Sequence, residues 1–428
     1  MAHLIPRFLT ILLFLLLIDY ITFRALKVAL RGATVFKRKL WFRVYWLVSI
    51  FCLLSTALYF FGIFRDMSPI RVWVQGFVSV VYISKVFVVF FVLFEDLIFY
   101  ARKFFSFLSN FVKKTTPTAT QNTQGKKITR AKFIHQAGLI AGAIPLATLS
   151  WGIISGAHDY QVRRRKIYLP HLPKSFEGFT IAQISDIHSG SFYNKTAVKG
   201  GVEMLLAEKP NLILFTGDLI NNHPDEMREY VNVFDKFKAD FGVYSVMGNH
   251  DYGDYIFGIS AQERAKLRKK LHEIHKAMNW QLLLDENRFI EQNGEKIAII
   301  GVQNWGTGNF PKYGNLSKAY QGTQEAKVKI LLSHDPSHWD AQIRPEFPDI
   351  DLTLAGHTHG MQLGIEFGDF RWSPVQYRYK QWADLYQEKN HSGKMQYLYV
   401  NRGFGYIGYL GRVGILPEIT ILTLTAKG

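Results

Sequence analysis

Cysteine is nearly absent. Cys52 stands alone among 428 residues, which excludes an intrachain disulfide framework and any thiolate-rich metal site. Acidic residues are scarce at one end of the chain. Residues 1–158 carry 19 Lys/Arg against 4 Asp/Glu, a net of +15, whereas residues 159–428 carry 32 against 30, a net of +2. The overall +17 therefore does not form a broad basic face on the C-terminal part, and no specific nucleic-acid partner is expected. What fills the early, acid-poor region is apolar. The chain is 48% apolar and 15% aromatic, rich for a soluble protein and consistent with lipid contact.

Four apolar runs carry this bias. Residues 44–64 hold no charge over 21 positions, about the ~20 needed to cross ~30 Å of hydrocarbon. Residues 72–94 are interrupted only by Lys85, residues 133–157 contain Pro145, and residues 8–23 contain Asp19. Asp19 and Lys85 read as polar residues facing a helix bundle or snorkelling, with a buried functional pair as the sharper alternative. The connections after the first and third runs hold clusters of Lys and Arg, whereas that between the second and third has only Arg65 and Arg71. The positive-inside bias predicts two cytoplasmic connections and a C-terminal part on the outer side of a cell membrane. Arg163, Arg164, Arg165 and Lys166 follow the fourth run and count against this, four charges against eight. "TTPTATQNTQGKK", residues 115–127, reads as a linker.

The texture changes near residue 159, so the expected organisation is a transmembrane region, 1–158, and a second domain, 159–428. Short β-rich runs now end in Asp, Asn or His: "FTIAQISDIH", "NLILFTGDL", "GVYSVMGNHD", "VKILLSHDP" and "DLTLAGHTH". Helical patterns over 196–209, 224–237 and 262–277 lie between or after the first three. Strand, polar loop and helix in repetition predict an α/β domain of two packed sheets flanked by helices, with its chemistry at the strand C-termini.

Five such run-ends offer oxygen or nitrogen ligands in order: Asp186 and His188, Asp218, Asn249 with His250, His334, then His357 and His359. Any one block has a plain explanation as a helix cap or a satisfied core histidine. Five together are hard to obtain from packing alone. The set is too large for one structural zinc and suits a pair of divalent ions, with Asp218 able to bridge them. Such ions would activate a shared water against a phosphoester, and the two-residue spacing of His357 and His359 would let each reach a different ion. Gly217, Gly248 and Gly356 would admit close backbone approach.

The blocks "SDIH", "TGDL", "GNHD", "LSHD" and "AGHTH" resemble the calcineurin-like metallophosphoesterase superfamily, over roughly residues 178–426. The tail "LYVNRGFGYIGYLGRVGILPEITILTL" resembles that of its bacterial membrane-anchored branch of predicted phosphohydrolases. The resemblance implies one metal held by Asp186, His188, Asp218 and His359, and another by Asp218, Asn249, His334 and His357. It implies that His250 contacts phosphate or protonates the leaving oxygen, oriented by Asp251. The metals would be manganese, iron or zinc, and the substrate a phosphodiester, a phosphomonoester or a lipid-linked (pyro)phosphate beside the bilayer. Two departures bear on substrate contacts: Met361 replaces a second glycine after "GHTHG", and "VQN", 302–304, replaces an acidic pair. Arg402 is a candidate for an anionic leaving group, with a structural ion pair as the equal alternative. His223 is a weaker candidate, and His272 and His275 read as solvated. A non-catalytic membrane signalling or scaffold protein is the alternative function; the completeness of the ligand set speaks against it.

Overall fold

A computed structural model describes residues 4–61, 69–112, 130–256, 258–309, 311–368, 370–391 and 393–427. The expected linker, 115–127, and Arg65 lie outside the described residues. Two compact units result, Met1–Ser150 and Trp151–Gly428.

The first unit is built from long apolar helices: α1 Leu4–Ala29, α2 Val35–Phe60, α3 Pro69–Val112 and most of α4, Arg130–Ile154. Four segments within them are long and apolar enough to span a membrane: Ile5–Ala29, Val35–Phe60, Val72–Ser109 and Lys132–His158. The charges inside the spans are paired. Lys85 Nζ lies 2.6 Å from Asp19 Oδ1, and the same carboxylate accepts from Ser49 and Tyr82 hydroxyls at 2.9 and 3.0 Å. An isolated charge in hydrocarbon is costly, so partners from α2 and α3 around the α1 carboxylate are the expected solution. Gly142 of α4 lies so close to α3 that a Cβ would sit 2.5 Å from Val88 Cγ2, the small-residue contact usual between membrane helices.

The second unit contains two six-stranded sheets. One runs β1 (Gln161–Tyr168), β14 (Glu418–Thr425), β2 (Thr180–Ile184), β3 (Leu212–Phe215), β4 (Val243–Ser245), β5 (Gln281–Leu282). The other runs β12 (Asp384–Lys389), β13 (Met395–Val400), β9 (Leu352–Ala355), β8 (Lys329–Leu332), β7 (Glu295–Gly301), β6 (Glu286–Gln292). A separate hairpin pairs β10 (Ile365–Phe367) with β11 (Phe370–Trp372). Ile181, Leu212, Leu214 and Leu422 of one sheet meet Ile299, Ile330, Leu332 and Leu354 of the other in a single buried cluster. The alternate residues Leu331, Ala355 and Leu398 pack under Leu316 and Trp339 on the outer face. Strands buried on both faces are mostly apolar, as in "KILL" and "LTLA", where Lys329 and Thr353 are the buried exceptions.

Helices α5 (Lys195–Ala207) and α7 (Ala261–Ala277) lie at the expected positions. The pattern over 224–237 is not one helix. It breaks into a 3₁₀ turn, Pro224–Met227, and the short α6, Val231–Phe234. Residues 163–166 are not a loop beside the membrane but the middle of edge strand β1. Arg163, Arg164 and Arg165 pair there with Glu366, Glu208 and Asp384. His275 is buried, not solvated, with Nδ1 3.0 Å from Ser245 Oγ.

Candidate metal centre

The strands stop short of the ligand residues. β2 ends at Ile184, β3 at Phe215 and β9 at Ala355, and beyond these ends the backbone turns into the left-handed region. Asp186, His188, Asp218, His357 and His359 have φ of 51°, 47°, 60°, 71° and 51°. Each non-glycine residue held there costs about 1 kcal/mol, and such strain concentrates at functional sites. These left-handed turns, rather than regular strand, present Asp186 and His188.

The turns converge. Ligand atoms of Asp186, His188 and His359 lie within 4.8 Å of one another, as do those of Asp218, His334 and His357. Asp218 joins the two groups: its Oδ2 is 3.1 Å from His334 Nε2 and 3.5 Å from His188 Nε2. Asn249 belongs with the second group, its Oδ1 2.8 Å from His357 Nδ1, while its Nδ2 donates to Tyr255 Oη at 2.8 Å. His334 Nδ1 donates to the Thr216 carbonyl at 2.8 Å, leaving Nε2 as the lone-pair nitrogen that faces the cluster.

Several of these buried nitrogens face carboxylates without the geometry of a hydrogen bond. Both ring nitrogens of His188, Nε2 of His334 and Nε2 of His359 make no hydrogen bond among the described residues. Orphaned buried nitrogens aimed at carboxylates are what a divalent cation satisfies, so the residues fit metal. The electrostatics agree. Burial disfavours the charge on Asp186, yet His359 holds its carboxyl below the usual range. Burial likewise opposes the charged form of His334, but Asp218 outweighs it and raises the imidazole to about 10. The buried carboxylates thus favour positive charge at the place where a metal cation would fit.

The remaining expected residues fall differently. His250 borders the cluster: its backbone N–H donates to Asp218 Oδ1 at 2.8 Å, and its ring stacks on Tyr255 with centroids 4.4 Å apart. Asp251 does not orient it. That carboxylate is buried and accepts from the backbone N–H groups of Asp218, Gly248, Leu219 and Ile220 at 2.9–3.3 Å. The carbonyl of Asn221 takes His250 Nδ1 instead, at 2.7 Å. Arg402 is fully buried, 2.6 Å from Glu418 and 2.6 Å from Glu366, so its expected role at a leaving group gives way to a structural one. His223 caps the Pro224–Met227 turn and accepts from the Asp225 N–H, an exposed cap rather than a cluster residue.

Three neighbours were not foreseen. Tyr379 Oη lies 2.7 Å from His357 Nε2. Asp335, the residue after His334, lies 3.7 Å from the same nitrogen. Arg412 Nη2 lies 3.2 Å from His359 Nδ1 and donates to the carbonyls of Arg402 and Gly405 at 2.8 and 2.5 Å. Asp335 and Arg412 stand inside the motif and tail segments that carry the resemblance; Tyr379 had no signal. Beside Asn249 opens a cleft of about 250 Å³, lined also by Asp254, Tyr255, Arg264, Asn304 and Tyr313.

Two sheets whose loops gather carboxylates and imidazoles at the strand ends define a metal-dependent hydrolase domain, here joined to a membrane region. Comparison with known proteins says which. Residues 5–157 match the family model "Probable Calcineurin-like phosphoesterase, transmembrane domain", and residues 179–361 match "Calcineurin-like phosphoesterase". The uncharacterized metallophosphoesterase YkuE of Bacillus subtilis is 28% identical over 70% of this chain and 98% of its own length. The "Transmembrane protein with metallophosphoesterase domain" of Danio rerio is 26% identical over 71% of this chain and 68% of its own. Among solved structures, the NAD nucleotidase of Haemophilus influenzae aligns with 53% of this chain and 45% of that one, at 20% identity and a TM-score of 0.37. By these matches the chain pairs a calcineurin-like phosphoesterase domain with a transmembrane domain of the same kind, and is a hydrolase of phosphoric esters.

Proposed function

We propose that this protein is a membrane-tethered phosphoesterase with a two-metal centre and an extracytoplasmic catalytic domain. Asp186, His188, Asp218 and His359 would hold one divalent ion, and Asp218, Asn249, His334 and His357 the other. Manganese, iron and zinc all suit this donor set. Such a pair supplies a water activated at neutral pH and positive charge against the phosphoryl oxygens.

The protein's own residues do the rest. Asp218, with one oxygen near both groups, sets their separation. Asp251 draws the backbones of residues 218–220 and 248 onto one carboxylate, which ties together the loops carrying Asp218 and Asn249. His250 spends Nδ1 on the Asn221 carbonyl, which leaves Nε2 as its one free nitrogen for a proton at the leaving oxygen. The cleft lined by Asn249, Tyr255 and Asn304 would receive the group beyond the phosphorus. Anchoring beside the bilayer raises the effective concentration of lipid-borne phosphates, which favours a lipid-linked ester or pyrophosphate as substrate.

The position of Asp218 between two imidazole groups carries this reading. The test is purified full-length protein supplied with Mn²⁺ and assayed on mono-, di- and pyrophosphate substrates, with Asp218→Asn as control. Turnover that depends on metal and is lost in the variant is expected. Equal activity in the variant, or none in either with any divalent ion, would reject it.

A further inference from the structure

The β10–β11 hairpin begins two residues beyond the helical turn that carries His359, and its polarity is inverted. Its register pairs Ile365 with Trp372, Glu366 with Arg371 and Phe367 with Phe370, so Ile365, Phe367 and Phe370 share one face. The polar face turns inward, where Glu366 binds Arg402 and Arg163, and Arg371 binds Asp384 at 3.2 Å. The apolar face turns outward. Phe367 is 84% exposed, Phe370 61% and Ile365 56%, and the alternation continues upstream through Met361 at 55% and Leu363 at 39%. Met361 is even held at φ 55°, a strained conformation that displays an apolar side chain to the exterior. A contiguous outward row of this kind marks an interaction surface.

The backbone says which surface it meets. Gly364 N donates to Val413 O at 2.9 Å, Val413 N to Gln362 O at 2.8 Å, and Arg412 N to Gly152 O at 3.1 Å. Gly152 is in the final turns of α4, and a Cβ there would lie 2.7 Å from Val413 Cγ2. The hairpin thus hangs from the end of a helix long and apolar enough to cross a bilayer, next to Trp151 and Ile154, themselves exposed. That end of a span emerges at the membrane interface. Tyr377, Arg378 and Lys380, also exposed, come after the hairpin and are residue types favoured at headgroup level.

We infer that the outward face of this hairpin is seated in the headgroup–acyl boundary of the bilayer that α4 crosses. The inference rests on the membrane reading of α4 and not on which ester is cleaved. The test uses the full chain in lipid vesicles with Cys52→Ser, and single cysteines at Phe367, at Ile140 in α4 and at Lys269 on α7, each bearing a fluorophore. Nitroxide-labelled lipids should quench Phe367→Cys and Ile140→Cys strongly and Lys269→Cys little, with aqueous iodide giving the reverse order. Quenching at Ile140 alone would sink the hairpin's seat while leaving the span intact. No lipid quenching at either would sink both. A Phe367 label shielded from both quenchers would put protein against the hairpin, and that too would overturn the proposal.

Discussion

Gly248→Ala isolates the geometry on which the proposed centre depends. Gly248 sits at φ −94° and ψ −177°, extended backbone that alanine adopts freely, so no conformational penalty is introduced. The difficulty is space. A Cβ would lie 2.3 Å from Asp218 Oδ1 and 2.7 Å from Asp218 N, where ordinary contact begins at 3.4 Å. Asp218 must therefore retreat by about 1 Å, and it is clamped by the Asp251 network on one side and faces His334 on the other. Displacement on that scale costs on the order of 10²-fold in rate when the moved group organises the reaction. Gly200→Ala is the matched control: it lies within α5 with nothing within 4 Å of a Cβ, and should raise stability by up to about 1 kcal/mol. Metal content after desalting, kcat/KM on an aryl phosphodiester and thermal unfolding are read for both. A Gly248→Ala protein that keeps wild-type metal content and rate would refute the claim that this carboxylate is confined between two ion sites.

Metal uptake at pH 7 should release protons, since Asp218 holds His334 protonated up to about 10 and a ligating imidazole must be neutral. Calorimetric titration of Mn²⁺ in buffers of different ionisation enthalpy measures it, and a buffer-independent heat would contradict it. Arg412→Met should destabilise the protein by about 3 kcal/mol or more, because it strips donors from buried carbonyls of residues 402, 403 and 405. Its metal retention should fall as well, through His359; unfolding midpoint and metal analysis check both. Burial holds His275 down to about 3, against about 6.5 when unfolded, so between those values the unfolded chain binds the extra proton and stability falls as pH falls. From pH 7 to 5 the loss is about 2 kcal/mol at 1.36 kcal/mol per unit, and His275→Gln should remove that increment from the urea midpoint's pH dependence.

The range of each interaction decided how much was legible. Asp186, His188, Asp218, Asn249, His334, His357 and His359 could be picked from the chain because each stands at the end of an apolar run too short to be anything but a strand. The left-handed turns that aim five of them were not legible there. Asp251 misled because it adjoins His250 in sequence, whereas its oxygens meet backbone N–H groups of Asp218, Leu219 and Ile220, about thirty residues away. Arg402 misled in the same manner: an arginine in a loop near the site looks available until Glu366 and Glu418 arrive from distant segments. The run at 163–166 could not be read as a sheet strand while its carboxylate partners, up to 219 residues away, were unknown.

By itself the sequence determined the apolar spans, the two-sheet class and the candidate ligand residues, since hydropathy runs and strand-end motifs are properties of short windows. The tertiary structure alone decided that one Asp218 oxygen lies between both imidazole groups, that Asn221 rather than Asp251 orients His250, and that Arg412 supports His359. It also decided that the hairpin turns its phenylalanines outward beside the end of α4. Those outcomes depend on which distant backbone and side-chain groups fold into hydrogen-bonding reach, and no local window contains both partners.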